Sequence, residues 1–327
     1  MKLCMIGSRG HSYYVFESIR EVPGITLSGV SSGCEDSPQK LLEMAEHHGF
    51  HPQIWSDWRA MLDAEKPDVV CIDGPFELHA EMCAESLKRN ISVFCEKPIA
   101  LTLDQLEMVR QAHSRSSARI VSMVGLRYDP AFLQGARMVR GGAVGKVKLI
   151  RAQKSYKLGK RPEFYKHRAT YGGTIPWVGS HAFDWILYFS GDEFESVTAL
   201  QTAEDNAGNG DLEIAALCQF RMRSGILASA SIDYLRPGSA PSHGDDRVRA
   251  AGTEGVLEVR GGKIFWIGPD GEQILEPEKP DRHLFSDFIL ELSGGRPALV
   301  SDRETLELTR ACLLAREAAD TGTKILF

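Results

Sequence analysis

The stretch Lys2-Leu3-Cys4-Met5-Ile6-Gly7-Ser8-Arg9-Gly10-His11-Ser12 decides the fold. An apolar run ends in turn residues, and a helix-like segment over Ser12–Arg20 follows at once. Working outward, Ile25–Val30 reads as the next strand. Ser37-Pro38 reads as an N-cap with proline at the first helical position, leading into Gln39–His48. Asp68–Ile72 is β-rich, and Ala80, Cys83, Ala84 and Leu87 then fall on one helical face at i, i+3, i+4, i+7. Ile91–Phe94 is a further strand. Thr102-x-x-Gln105 is a capping box opening a helix with Leu103, Leu106 and Val109, and Arg119–Val124 closes the series. Strands and helices in alternation predict an α/β domain over 1–124. Its parallel sheet is covered on both faces, and ligands bind beyond the carboxyl ends of its strands.

Past residue 125 the pattern changes. Pro130–Arg140 reads as a helix, Lys146–Tyr156 as a long strand, and Ile175–Ser190 as a helix rich in Trp and Phe. Six β-like runs follow: Ser196–Gln201, Leu212–Phe220, Ile226–Asp233, Val248–Ala251, Val256–Val259 and Lys263–Ile267. Strands without intervening helices predict an α+β domain over 125–327 with a mostly antiparallel sheet. Arg236–Gly244 and Gly268–Pro280 read as surface loops. Helices at 281–293 and 302–319 end the chain, the latter opened by the capping box Ser301-x-x-Glu304.

Composition limits the function classes. The 327 residues carry a formal net charge of −6, which argues against a nucleic-acid partner. No apolar run is long enough to span a membrane, and the start lacks a signal-peptide pattern. Seven cysteines without a C-x-x-C predict reduced thiols in a cytoplasmic protein and no metal site.

The turn Gly7-Ser8-Arg9-Gly10-His11-Ser12 keeps the first glycine of a dinucleotide fingerprint, with Arg9 and Ser12 at the other two glycine positions and Gly10 extra. At a helix N-terminus its N–H groups suit a pyrophosphate, with Arg9 and His11 adding charge and a donor. Ser31 or Ser32 stands where an NAD site usually has a carboxylate. This leans toward NADP, with Arg9 or Lys40 as phosphate partners, while Glu35 and Asp36 nearby point to NAD. In Phe94-Cys95-Glu96-Lys97-Pro98, Lys97 follows a parallel strand directly and falls where cofactor and substrate meet.

These features together resemble the Gfo/Idh/MocA family, the glucose–fructose oxidoreductase and inositol dehydrogenase group. The likeness covers nearly the whole chain. It rests on Gly7–His11, Asp73-Gly74-Pro75 with His79, Glu96-Lys97-Pro98, Arg127-Tyr128-Asp129-Pro130, Gly142-x-x-Gly145-Lys146, and Gly172-Gly173 followed by Gly179-Ser180-His181-x-x-Asp184. The resemblance implies a Rossmann domain, then an α/β domain whose open sheet forms oligomer contacts in a homodimer or homotetramer. It also implies NAD(P)-linked oxidation or reduction of sugars, polyols and related compounds. Lys97 takes the place of the lysine near the nicotinamide, and His181 that of the acid/base. Asp73, Pro75, His79 and Glu96 fall in the cofactor-binding segments, and Arg127 and Asp184 in those facing substrate.

The chain departs from the family pattern at two points. Trp177 replaces the Asp that commonly precedes the histidine by four residues, leaving Asp184 as a candidate to orient the ring. Phe76 replaces the Asn of the Thr-Pro-Asn segment. Tyr165, Tyr171 and Trp177 are expected pocket walls. A basic stretch from Lys146 to Arg168 predicts a solvated strand face at Lys146, Lys148 and Lys154. Its end, Arg161, Lys166, His167 and Arg168, forms a loop suited to an anionic substrate and hinged at Gly172-Gly173. Two alternatives remain open: a non-catalytic dinucleotide or sugar sensor, favoured by Trp177, and a redox-neutral lyase or glycosidase.

Overall fold

Lys2–Ile6 forms β1, the centre of a sheet built by the first part of the chain. After it come α1 (Tyr13–Ser18), β2 (Thr26–Ser31), α2 (Gln39–His47), β3 (Gln53–Trp55), α3 (Trp58–Glu65), β4 (Val69–Ile72), α4 (His79–Lys88), β5 (Ser92–Cys95), α5 (Leu103–Ser114) and β6 (Ile120–Ser122). The computed structural model describes residues 1–33 and 37–327; Cys34, Glu35 and Asp36 lie outside the described residues. All six strands are parallel, in the order β3-β2-β1-β4-β5-β6. Leu3–Ile6, Val69–Ile72 and Val93–Cys95 are fully buried, as strands covered on both faces must be. The strand order reverses between β1 and β4, so the turns after these two strands adjoin at the switch point. The capping box of α5 is formed: Thr102 Oγ1 accepts the Gln105 N–H at 3.1 Å, and Gln105 Oε1 accepts the Leu101 N–H at 2.7 Å.

The second sheet is larger. Its elements are α6 (Pro130–Arg140), β7 (Val147–Tyr156), α7 (Arg168–Tyr171), a π-helical turn (Ile175–Gly179), α8 (Ser180–Ser190), β8 (Phe194–Thr202), β9 (Ala215–Met222), β10 (Leu227–Asp233), β11 (Gly244–Gly252), β12 (Val256–Arg260), β13 (Lys263–Gly268) and β14 (Gly271–Leu275). The chain continues as α9 (Leu284–Leu292), α10 (Asp302–Thr321) and β15 (Ile325–Leu326). The strand order is β14-β13-β12-β11-β7-β10-β9-β8-β15. All pairs are antiparallel except β7 with β10. Helices α6 and α8 cover one face. On the other face Leu200, Leu217 and Leu227 stay more than half exposed. Asp129 caps α6, accepting the Ala131 N–H at 3.0 Å ahead of Pro130 in the first turn.

Three expectations need correction. Gly268–Pro280 is not all loop, because β14 forms within it. Lys146 and Lys148 are exposed, but Lys154 shares its face with Ile150 and Ala152 and is only 1% exposed. Its ammonium pairs with Asp246 and lies 4.5 Å from the Tyr156 ring centroid and 5.4 Å from that of Trp185. That face is covered by α8, so strand alternation there marks burial and not solvation.

The third concerns the domain boundary. One compact unit comprises Met1–Gly125 with Arg282–Thr309, the other Leu126–Asp281 with Arg310–Phe327. Residues 282–309, expected in the second domain, complete the first unit. Phe285 and Phe288 pack on Phe94 of β5 with ring centroids 5.4 and 6.0 Å apart. Asp302 Oδ1 and Thr305 Oγ1 accept the N–H groups of Ile120 and Ser122 along β6, each at 3.1 Å. The Ser301–Glu304 capping box is formed, with Ser301 Oγ accepting the Glu304 N–H at 3.2 Å.

Candidate active site

The predicted functional residues divide between the two units, and each set is organised by its own sheet. In the first unit, Gly7 leaves β1 with φ of +76°, and its N–H donates to the Ser31 carbonyl at 2.8 Å. A Cβ there would stand 2.4 Å from Gly74 Cα, so the close approach of the β1 and β4 turns requires glycine. Gly10 has a different reason. A Cβ on it would lie 2.8 Å from Asp73 Oδ1 and 2.9 Å from Glu96 Cγ, so this extra glycine makes room for two carboxylates.

Asp73 directly follows β4 and Glu96 directly follows β5, and both are fully buried. Asp73 accepts the N–H groups of Gly10 (2.7 Å) and Ser12 (2.8 Å), and its carbonyl accepts that of Arg9 at 2.9 Å. Glu96 Oε2 accepts the His11 N–H at 3.2 Å and lies 2.8 Å from His11 Nδ1. Glu96 Oε1 accepts the Lys97 N–H at 3.0 Å and stands 3.4 Å from Lys97 Nζ. Burial, then the charge of Glu96, push the Asp73 carboxyl up to about 7, although the Ser12 and Gly10 amides pull the other way. Burial also opposes ionisation of Glu96, but His11 and Lys97 together hold it below its ordinary value.

Lys97 is 4% exposed, and the Glu96 carboxylate accompanies it into the protein. His79 is buried with Nδ1 at 3.0 Å from the Pro98 carbonyl and Nε2 at 3.1 Å from that of Gly74. Burial outweighs these two acceptors and lowers its pKa. With a single N–H in its neutral form, the His79 ring donates to one of these carbonyls and lies between the turns that carry Pro75 and Lys97. Phe76, in the place of the family's Asn, is fully buried against His79 at 5.2 Å between centroids. Ser31 is buried at the end of β2 beside the partly exposed Ser32, and Lys40 Nζ reaches the Ser8 carbonyl at 2.7 Å.

In the second unit, α8 carries His181 in its first turn and Asp184 one turn on, both 2% exposed. Asp184 is held by Arg127, whose NH2 and Nε donate to its two oxygens at 2.5 and 3.2 Å. Arg127 is itself 1% exposed and lies 4.7 Å from the Tyr188 ring centroid. The pair anchors the helix that presents His181. Ile175–Gly179 is π-helical, so Trp177 does not precede His181 in α-helical register as the sequence predicts. Trp177 is 7% exposed, and its ring meets Tyr165 edge-on at 6.1 Å.

The basic loop is largely neutralised from within. Arg168 donates to Asp320 at 2.6 and 2.8 Å and pairs with the buried Glu213. Lys166 lies 2.8 Å from Glu163, and His167 3.6 Å from the same group. Arg161 has no carboxylate partner among the described residues; its guanidinium stands over Tyr234 (4.6 Å) and Tyr165 (5.4 Å). Nor is Gly172-Gly173 a loose hinge. The Gly172 carbonyl accepts from Arg316 at 2.5 Å, and Glu213 Oε2 accepts the Thr174 N–H at 2.9 Å.

Tyr171 and Tyr234 are buried and share a hydrogen bond of 2.7 Å. Burial pushes Tyr171 well up and Tyr234 up to about 12. Tyr234 was not a candidate from the sequence, although Ala228, Ala230 and Ile232 alternate inward and lead directly to it.

A family model described as "Oxidoreductase family, NAD-binding Rossmann fold" matches residues 1–124, and one for the GFO/IDH/MocA C-terminal domain matches 132–258. The chain belongs to the GFO/IDH/MocA family. A solved structure of a putative oxidoreductase from Thermotoga maritima is similar at 41% identity over the whole of both chains, with a TM-score of 0.96. Myo-inositol 2-dehydrogenase of the same organism is 25% identical over 88% of this chain and 87% of its own. The rhizopine catabolism protein MocA of Rhizobium meliloti is 26% identical over 72% of this chain and 71% of its own. GFO/IDH/MocA relatives include dehydrogenases of polyols and diols, and this chain is an oxidoreductase of that family. No helix among the described residues is long and apolar enough to cross a membrane.

The residues of the first unit fit a dinucleotide. Gly7 leaves the β1 turn without a side chain, Ser31 and Ser32 lie at the carboxyl end of β2, and the Lys40 ammonium stands against the turn at Ser8.

Proposed function

We propose that the chain transfers hydride between a nicotinamide dinucleotide, NADP in preference to NAD, and a carbinol carbon of a sugar, polyol or sugar acid. The observation that carries this reading is Lys97, a buried ammonium held by Glu96 at the carboxyl end of β5. The dinucleotide, when bound to the Gly7–Ser12 turn and Ser31–Ser32, supplies the hydride acceptor or donor. Lys97 Nζ hydrogen-bonds the reacting oxygen and stabilises negative charge on it. His181 takes the hydroxyl proton in oxidation and returns it in reduction. Arg161, over Tyr165 and Tyr234, is the cation best suited to an acid group on the substrate. Arg168 and Asp184, paired within the fold, position the loop and the helix. NADP is favoured by Ser31, Ser32 and the placement of Lys40.

Subunits associate through the open sheet face bearing Leu200, Leu217 and Leu227, and the protein works in the cytoplasm. The myo-inositol dehydrogenase among the relatives supports the polyol class.

The test is calorimetric titration with NAD, NADH, NADP and NADPH, then a turnover screen of sugars, polyols and sugar acids with the tighter pair. Lys97→Ala should abolish turnover and leave the circular dichroism spectrum unchanged; full activity of that variant refutes the reading. Trp177 in the place of the family's Asp favours a second reading, a binding protein without turnover. Dinucleotide binding with no turnover across the whole screen would establish it.

A further inference from the structure

The end of β7 and the loop behind it hold more positive charge than the second unit neutralises. The acid groups there are engaged: Asp246 pairs with Lys154, Glu213 with Arg168, Glu163 with Lys166, and Asp245 with Arg247. Among the described residues no carboxylate meets Arg161 or Lys157. The Lys157 ammonium is spent on the carbonyls of Gly238 and Ala240, at 3.0 and 2.5 Å. Arg161 donates one side-chain hydrogen bond, from Nη2 to the Lys157 carbonyl at 3.1 Å, and its enclosed Nε donates none. Enclosed donors normally find an acceptor, so the fold leaves this guanidinium short of one. His243, whose ring centroid is 4.9 Å from that of Tyr156, registers the same surplus. Its pKa is lowered first by burial and then by the charges of Arg161, Lys154 and Lys157, against the opposing effect of Asp246.

The Arg161 guanidinium stands 4.6 Å from the Tyr234 ring centroid and 5.4 Å from that of Tyr165. Guanidinium N–H bonds lie in the plane of the group, so one held above aromatic rings still offers a fork of donors to a carboxylate. Tyr165 meets Trp177 edge-on at 6.1 Å, and Trp177 lies in the π-helical turn that runs directly into His181. Two rings thus connect Arg161 with the segment that carries the candidate acid/base. Neither ring brings a charge that would repel an anion.

We infer that the substrate is a polyol carboxylate, an aldonic or uronic acid, whose carboxylate binds Arg161 while one of its carbinols reacts at His181. This deepens the hydride-transfer reading and rests on it; Arg161 becomes the residue that selects an acid over a neutral polyol. The carboxylate accepts hydrogen bonds only, and no bond to it forms or breaks. One unneutralised guanidinium matches the single charge of a carboxylate. A phosphate monoester brings close to two, and the neighbouring ammonium groups are taken by Asp246 and by carbonyls.

The experiment compares matched compounds on the full-length protein: D-gluconate with D-glucitol, D-galacturonate with D-galactose, and D-glucose 6-phosphate as the phosphate probe. Two quantities are measured for each, kcat/KM with the dinucleotide that binds, and affinity for the dinucleotide-loaded protein by calorimetry. The acids should be favoured by about tenfold or more over their neutral counterparts and over the phosphate. Arg161→Gln should cut the acid-to-neutral ratio by about ten- to hundredfold, chiefly through KM. Arg161→Lys, which keeps the charge without the fork, should restore part of it, whereas a merely structural role would lower acid and neutral compounds alike. Neutral compounds that match the acids, a preference for the phosphate, or a ratio unchanged in Arg161→Gln each overturns the inference. The ratio is read first on the unaltered protein, so a variant that fails to fold does not remove the test. Turnover of neutral polyols in preference to acids overturns this inference alone. Failure of every compound to bind or turn over overturns the hydride-transfer reading with it.

Discussion

Arg127 and Asp184 offer the most direct test of how the His181 helix is held. Their side chains are 1% and 2% exposed, and two hydrogen bonds join them. Asp184→Leu leaves the guanidinium buried with its carboxylate partner removed. Breaking a buried pair from one side costs about 3–5 kcal/mol, because the remaining charge is uncompensated. That is a loss of about two to three and a half decades in the folding equilibrium. With a urea slope of about 2 kcal/mol/M, the midpoint of the transition reporting on the second unit should fall by about 1.5–2.5 M. Trp177, Trp185 and Trp266 belong to that unit and Trp55 and Trp58 to the first, so tryptophan fluorescence in a Trp55→Phe, Trp58→Phe background follows its unfolding. The double substitution Arg127→Met with Asp184→Leu removes both charges and should recover most of the loss, since apolar side chains of similar volume replace buried pairs at little cost. A midpoint shift below about 0.5 M for Asp184→Leu, or a double variant no better than the single one, would refute the reasoning.

Other expectations follow from particular contacts. Gly10→Ala drives a Cβ to 2.8 Å from Asp73 Oδ1; it should cost about 1–3 kcal/mol by overpacking and weaken NADH binding, as read by thermal melting and titration. Tyr234→Phe removes the 2.7 Å hydrogen bond to Tyr171; a loss of about 1–2 kcal/mol in urea unfolding is expected, and less than additive loss when Tyr171→Phe is combined with it. For pH, Asp73 is raised in the folded protein from its ordinary value to about 7, so the folded state binds more protons than the unfolded one between about pH 4 and 7. Its contribution to stability is fully present below that window and is lost as pH rises through it, by up to about 1.4 kcal/mol per unit. Subtracting the stability profile of Asp73→Asn from that of the unaltered protein should isolate this slope; a flat difference would contradict it.

Much of the fold was legible because local signals and tertiary structure agreed. The apolar run of β1, the Asp129-Pro130 start of α6 and the Thr102 and Ser301 capping boxes are encoded in a few adjacent residues. β3 and β14 escaped because they are edge strands of three and five residues with little burial, so no alternation marks them. Lys154 was misread because the sequence does not reveal which face of a strand another element covers. The return of 282–309 to the first sheet depends on Phe285 and Phe288 meeting Phe94, a pairing no local pattern encodes. At the candidate site, Lys97 and His181 stood out only through the motifs around them. That Asp73 takes the turn's amides was not legible, since it depends on two strand ends lying side by side.

The path of α10 bears on how such chains are recombined. Its first eight residues belong to the first unit and the remainder to the second. The second unit is therefore, in chain terms, an insertion between residues 125 and 282 followed by a separate C-terminal piece. A chimera joined once near residue 125 would strip β5 and β6 of the Phe285, Phe288, Asp302 and Thr305 partners native to them. Grafting the second unit of one relative onto the first unit of another calls for junctions near 125, 281 and 309, the last within a continuous helix whose register both parents must share.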